Sequence, residues 1–161
     1  MKNPYRTADV LRGVLIYSTG DTVASLVLGQ YSVPRMLGIA FIGGSLYALE
    51  IPRYFRFIDG RTGRMKGSGG SLARTGLAML YFNPLWIARH LLFIQVFSGN
   101  WGGVSWDLLR LGLCSFGVNV PVAFTANYLI QNRIPLKWRF MASAVFSSLM
   151  AVYYALSQTL F

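Results

Sequence analysis

A chain of 161 residues in which 54% are hydrophobic and only 12% charged cannot cover a water-exposed surface as soluble domains do, with about a quarter of their residues charged. Fifteen Lys and Arg against five Asp and Glu give a net charge of +10, which suits nucleic acid or an anionic membrane surface. The apolar composition, and the lack of a basic helix interleaved with aromatics for base stacking, argue against nucleic acid as a partner. One cysteine, Cys114, and one histidine, His90, are too few for an internal disulfide or a zinc site, so neither is a redox or metal signal.

A basic start at 1–6 leads into a first apolar run with no small-residue cleavage pattern behind it, so an uncleaved start is expected. Five apolar segments follow, at about 10–28, 36–51, 77–97, 113–130 and 140–161, each bounded by charge, glycine or proline. They predict an all-α fold, a polytopic transmembrane helix bundle of four to five spans plus a short interfacial helix, as a single transmembrane domain over 1–161. The first segment contains Asp21. The second is short and holds Gly38, Gly43, Gly44 and Ser45, small residues that permit close helix approach. Behind Glu50 comes a basic loop, 52–74, with Arg53, Arg56, Arg61, Arg64 and Lys66 ahead of Gly67-Ser68-Gly69-Gly70-Ser71, which reads as mobile at its centre. The third segment carries Asn83-Pro84 and Arg89. Next, Trp101 and Trp106 suit the headgroup belt, and Ser105 is placed to cap an interfacial helix over 107–110. The fourth holds Asn119, Pro121 and Asn127, and the fifth Ala142, Ser143, Ala144, Ser147 and Ser148. Pro84 and Pro121 predict kinks whose freed carbonyls need new partners.

Charge supports the span count. With five crossings, one side collects Lys2, Arg6, Arg12, Arg53, Arg56, Arg61, Arg64, Lys66, Arg74, Arg133, Lys137 and Arg139, and the other only Arg35 and Arg110. That split is what the positive-inside rule expects. The cluster Arg53, Arg56, Arg61, Arg64 and Lys66 also suits anionic lipid headgroups, such as cardiolipin in a mitochondrial membrane.

A carboxylate inside a span needs a partner or water. Asp21 and Arg89 lie at similar depths in helices running the same way, so an intramembrane polar pair is expected between them, either a buried structural pair or the lining of a polar path. No Ser/His/Asp or Cys/His arrangement, phosphate-binding loop or close carboxylate pair can be assembled, so catalysis is not expected.

Gly20-Asp21, then Arg35, Gly43 and Tyr54-Phe55-Arg56-Phe57-Ile58-Asp59, together resemble the pattern of the Mpv-seventeen/peroxisomal-membrane-protein-twenty-two family. Phe82-Asn83-Pro84 with Gly99, Pro121 followed by Asn127, Ile134-Pro135-Leu136-Lys137-Trp138-Arg139 and Tyr154-Ala155-Leu156-Ser157 extend the likeness over residues 8 to 158. Ser25, Ala48-Leu49 and Ala78-Met79 depart from it, the last replacing an Asp-Gln pair of the family's third helix. The resemblance implies an organellar membrane protein without a cofactor, in the mitochondrial inner membrane with its basic side facing the matrix, or in the peroxisomal membrane. The family's proposed roles are channel-like, for ions or small solutes. The lost Asp-Gln turns the expectation here towards a non-enzymatic accessory subunit of a larger membrane complex, respiratory or ATP-synthesising, with other membrane subunits and lipids as partners.

Overall fold

The computed structural model describes residues 6–160, with side-chain surroundings up to residue 152. Residues 1–5, with Lys2, and Phe161 lie outside the described residues. Among those described, the structure is helical throughout and contains no strand: α1 (Thr7–Val27), α2 (Val33–Ile42), a π turn (Gly43–Tyr47), α3 (Ala48–Thr62), α4 (Gly67–Tyr81), α5 (Pro84–Phe97), a 3-10 turn (Trp101–Gly103), α6 (Asp107–Arg133) and α7 (Leu136–Leu160). Among the described residues two stretches, Gly67–Phe97 and Asp107–Arg133, are long and apolar enough to cross a membrane. α1 has the length, but Asp9, Arg12 and Asp21 interrupt its apolar character.

Contacts divide the chain into two compact units, one of 1–51 with 140–161 and one of 52–139. In the first, α1 packs against α2 and the π turn. The two backbones meet at glycine. A Cβ on Gly13 would come closer than 3.0 Å to the carbonyl oxygen of Gly43, a Cβ on Gly43 equally close to that of Gly13, and one on Gly44 would strike Val14. The π turn sits at this crossing, where two successive glycines weaken the α-helical preference and the neighbouring backbone is nearest. Tyr17 and Tyr47 each stand one turn beyond the contact glycine of their own helix, and helical side chains lean towards the N-terminus, so in an antiparallel pair the two rings lean together. Their centroids are 4.8 Å apart. Further along α1, Gly20 admits Ser148 of α7, whose hydroxyl donates to the Ile16 carbonyl at 3.0 Å.

In the second unit, the glycine-rich stretch expected to be a mobile loop is helical. α3 runs to Thr62, and α4 begins at Gly67 after a tight turn. Gly67 takes φ +67°, a left-handed value that disfavours side chains, and a Cβ on Gly70 would collide with the Met65 carbonyl. These glycines serve the tightness of the turn. α3 is amphipathic: Phe55, Ile58 and Thr62 are buried along one stripe, while Arg53, Arg56, Phe57 and Arg61 are exposed on the opposite one. Tyr54 stacks on Tyr81 at 4.6 Å and donates to the Leu77 carbonyl at 2.8 Å, fastening α3 to α4.

The third expected segment, 77–97, is divided. Asn83 ends α4 and starts α5, its amide donating to the Leu80 carbonyl at 2.9 Å and its side-chain oxygen accepting from the Trp86 backbone at 3.0 Å, with Pro84 at the first helical position. Pro84 therefore marks a break between two helices. Pro121 stays inside α6, which runs unbroken. The short interfacial helix is absent as a separate element: 107–110 is the first turn of α6, and Ser105 instead closes a local turn by accepting from the Asp107 backbone at 3.2 Å. Trp101 and Trp106 are exposed. α6 packs against α4 and α5, most closely at Gly112, where a Cβ would meet the Pro84 carbonyl.

Replacing Gly13 with Ala forces α1 off the π turn and should lower the denaturation midpoint in detergent, at a cost of about 1–3 kcal/mol as for other overpacked sites. Gly76→Ala, with open space around the added methyl, should leave the midpoint unchanged or raise it. Equal effects of the two substitutions would show that the glycine contact does not organise the first unit.

Candidate functional site

The register of the α1–α2 hairpin follows from its glycine contact. Asp21 lies eight residues after Gly13 and Arg35 eight before Gly43. In antiparallel helices both therefore sit about 12 Å from the crossing, on the same side of it. The Arg35 guanidinium closes a two-pronged bond on Asp21, Nε to Oδ2 at 2.8 Å and Nη2 to Oδ1 at 2.6 Å. The side chains are 7% and 4% exposed, so the pair is effectively removed from solvent, and both carboxylate oxygens accept from one planar donor.

The sequence suggested Arg89 as the partner of Asp21; the partner seen on the carboxylate is Arg35. Matching depth alone selected Arg89, whereas the neighbouring helix of a hairpin is the nearest source of a long cation. Arg89 is half-buried on α5, in the second unit. A signal for the right partner was present in the sequence: Arg35 stands on the side that the charge bias leaves almost bare, where a cation needs a local reason to be.

A second polar assembly lies at one end of the second unit. Arg139 donates through Nη1 to Asp59 Oδ1 and through Nε to the Ile134 carbonyl at 2.9 Å, with Gln131 Oε1 at 3.5 Å. Arg74 donates to Asn132 Oδ1 at 3.1 Å and reaches the Met65 carbonyl at 3.5 Å. The Asn132 amide in turn donates to the Tyr128 carbonyl at 2.9 Å, with the Ser71 carbonyl at 3.3 Å. These bonds gather the C-terminal ends of α3 and α6 and the N-terminal ends of α4 and α7. Arg61, Arg64, Lys66, Arg133 and Lys137 consequently share that end, all exposed. Charge counting along the sequence places all of these cations on one side but does not reveal the bonded frame beneath them. Its one available signal was Asp59, the lone acid of the 52–74 stretch.

Asn127 is buried and donates to the Ala123 carbonyl at 2.9 Å and towards Met79 Sδ at 3.6 Å, linking α6 to α4. Beside Pro121 the exposed face of α6 forms an open apolar notch with Val122, Thr125, Ala126 and Leu129. Among the described residues no group of His, Cys, Asp and Glu is placed to hold a metal. Comparison with models of protein families, with curated proteins and with solved structures finds no match to this chain.

Removing one member of the ion pair strands the other charge in the helix interface. Asp21→Leu and Arg35→Met should each cost about 3–5 kcal/mol, while the double variant recovers most of that loss. A double-mutant cycle by denaturant titration in detergent checks this; strictly additive losses would mean that the pair is not coupled.

Proposed function

We propose that this chain is an integral membrane protein of five spans with a structural role, an accessory subunit held among other membrane proteins. The observation that carries the membrane reading is an inverted distribution of polarity on helices of membrane length. Leu11, Leu15, Leu26, Leu37, Phe41, Leu80, Val118 and Leu149 are exposed, while Asp21, Ser25, Arg35, Thr75, Asn127, Gln131 and Ser143 are buried. The core helix of a soluble protein is apolar because it is buried; here only 6% of the apolar window in Gly67–Phe97 and 11% of that in Asp107–Arg133 is buried. Lipid removes the cost of such exposure, and it makes internal pairing of polar groups mandatory.

On this reading α1, the rod over 33–51, the α4–α5 stretch, α6 and α7 cross, and the cations gather on one side. The accessory role is supported by the use of the first unit's buried charge: Asp21 is occupied by Arg35, so it holds a hairpin together and lines no water path. Apolar faces on α1, α2 and α6 offer lipid or neighbouring subunits the same chemistry. The resemblance to the Mpv-seventeen/peroxisomal-membrane-protein-twenty-two family favours the mitochondrial inner membrane with the basic side in the matrix, and the peroxisomal membrane next. A channel-like role for ions or small solutes is the second reading, favoured by Pro121 and the buried Asn119 and Asn127 within α6. Neither reading assigns catalysis or a cofactor.

Membranes extracted with alkaline carbonate should retain the chain in the pellet. In a Cys114→Ser background, Ser68→Cys and Ser105→Cys should react with an impermeant maleimide from opposite sides; same-side labelling would eliminate the five-span topology. After mild solubilisation, migration with a large complex on a native gel supports the accessory subunit. A small particle that conducts ions in liposomes would put the channel first.

A further inference from the structure

The exposed cations at the bonded end of the second unit are set on a rigid base and mixed with apolar side chains. Arg61, Arg64 and Lys66 lie on and just beyond the end of α3, and Arg133 at the end of α6. Arg139, with 11% of its side chain exposed, already holds Asp59, the one acidic residue of the second unit at this end, so that carboxylate does not neutralise the surface. Between the cations Phe57 is 44% exposed and Met65 45%. The Arg61 guanidinium lies over the Phe57 ring, 5.1 Å from its centroid, an arrangement that leaves its outer N–H groups directed away from the ring. An acidic protein would need only the charges. Exposed Phe and Met among guanidinium groups suit a surface that is anionic outside and apolar just beneath, which is the headgroup boundary of an anionic bilayer.

We infer that Arg61, Arg64, Lys66 and Arg133, around Phe57 and Met65, form a binding site for the phosphate headgroups of anionic phospholipids. The inference rests on the membrane reading given above, since it places this end of the unit where helices leave the bilayer. Arginine binds phosphate through paired N–H donors, and the hydrogen-bonded frame joins the two connections that carry these cations. The site therefore discriminates against zwitterionic lipid. Phe57 and Met65 enter the acyl boundary beside the bound headgroup.

The test uses the full chain purified in mild detergent, with its thermal midpoint followed as cardiolipin, phosphatidylglycerol or phosphatidylcholine is added. The two anionic lipids should raise the midpoint saturably and phosphatidylcholine should not. Arg61→Gln/Arg64→Gln/Lys66→Gln should weaken the anionic effect by about tenfold or more, with an unchanged midpoint in lipid-free detergent because all three side chains are exposed. Should that variant fold poorly, Arg133→Gln on the other connection carries the same expectation of weaker lipid binding. Equal stabilisation by phosphatidylcholine, full lipid response in both variants, or equal protection by inorganic phosphate alone would overturn the proposal. Stabilisation by poly-glutamate in place of lipid would overturn it too and assign the surface to an acidic protein. Loss of the lipid response with the chain still in the carbonate pellet removes this inference alone, whereas release from the pellet removes the membrane reading.

Discussion

Backbone contact between Gly13 and Gly43 sets the geometry on which the first unit depends. With no Cβ on either residue, α1 and the π turn approach more closely than any side chain would allow, and the pairings along the hairpin follow from the register set at that point. Tyr17 meets Tyr47 because each stands one turn past its glycine and leans back towards the crossing. Asp21 meets Arg35 because each stands eight residues from the contact, on the same side of the crossing. The buried ion pair is thus a consequence of the glycine crossing, and it also reinforces it: a slip of one helix against the other would leave two charges unpaired in a dry interface.

The second unit is held by a different device. Here side chains bond to the ends of helices, where unpaired backbone groups are concentrated. Asn83 serves the end of α4 and the start of α5 with one amide, and Arg139 takes the Ile134 carbonyl where α6 gives way to α7. Arg74 and Asn132 together join the α3–α4 turn to the last turn of α6. The polar residues that look like candidates for function on paper are largely absorbed by this work. What remains outward is a set of cations on one end and apolar surface along the helices, a division that suits a bilayer better than water.

Several elements were legible from residue order. The bounds of the first and last segments agree with α1 and α7 to within a few residues, because long apolar runs flanked by charge have few alternatives to a helix. Three features were misjudged for identifiable reasons. Glycine and serine at 67–71 resemble a linker by composition, yet the tight turn needs glycine at 67 and 70 for steric reasons, and the helix continues through them. Pro84 by itself predicts a kink, but Asn83 before it caps both neighbouring helices, so the chain breaks there. The 105–110 run after turn residues suggests a separate interfacial helix, whereas from Asp107 on it is the first turn of α6.

Composition and residue order alone determined the helical class, the apolar segments and the collection of positive charge into a few connections, because these depend on local chemistry and on charge counting. Tertiary structure decided which charges meet. Residue order pointed Asp21 to Arg89, and the close approach at Gly13 and Gly43 brings Arg35 onto it. The same holds for Asp59 and Arg139, eighty residues apart. An ion pair is specified by distance to about an ångström, and distance between helices is a property of their packing, which no single segment carries by itself.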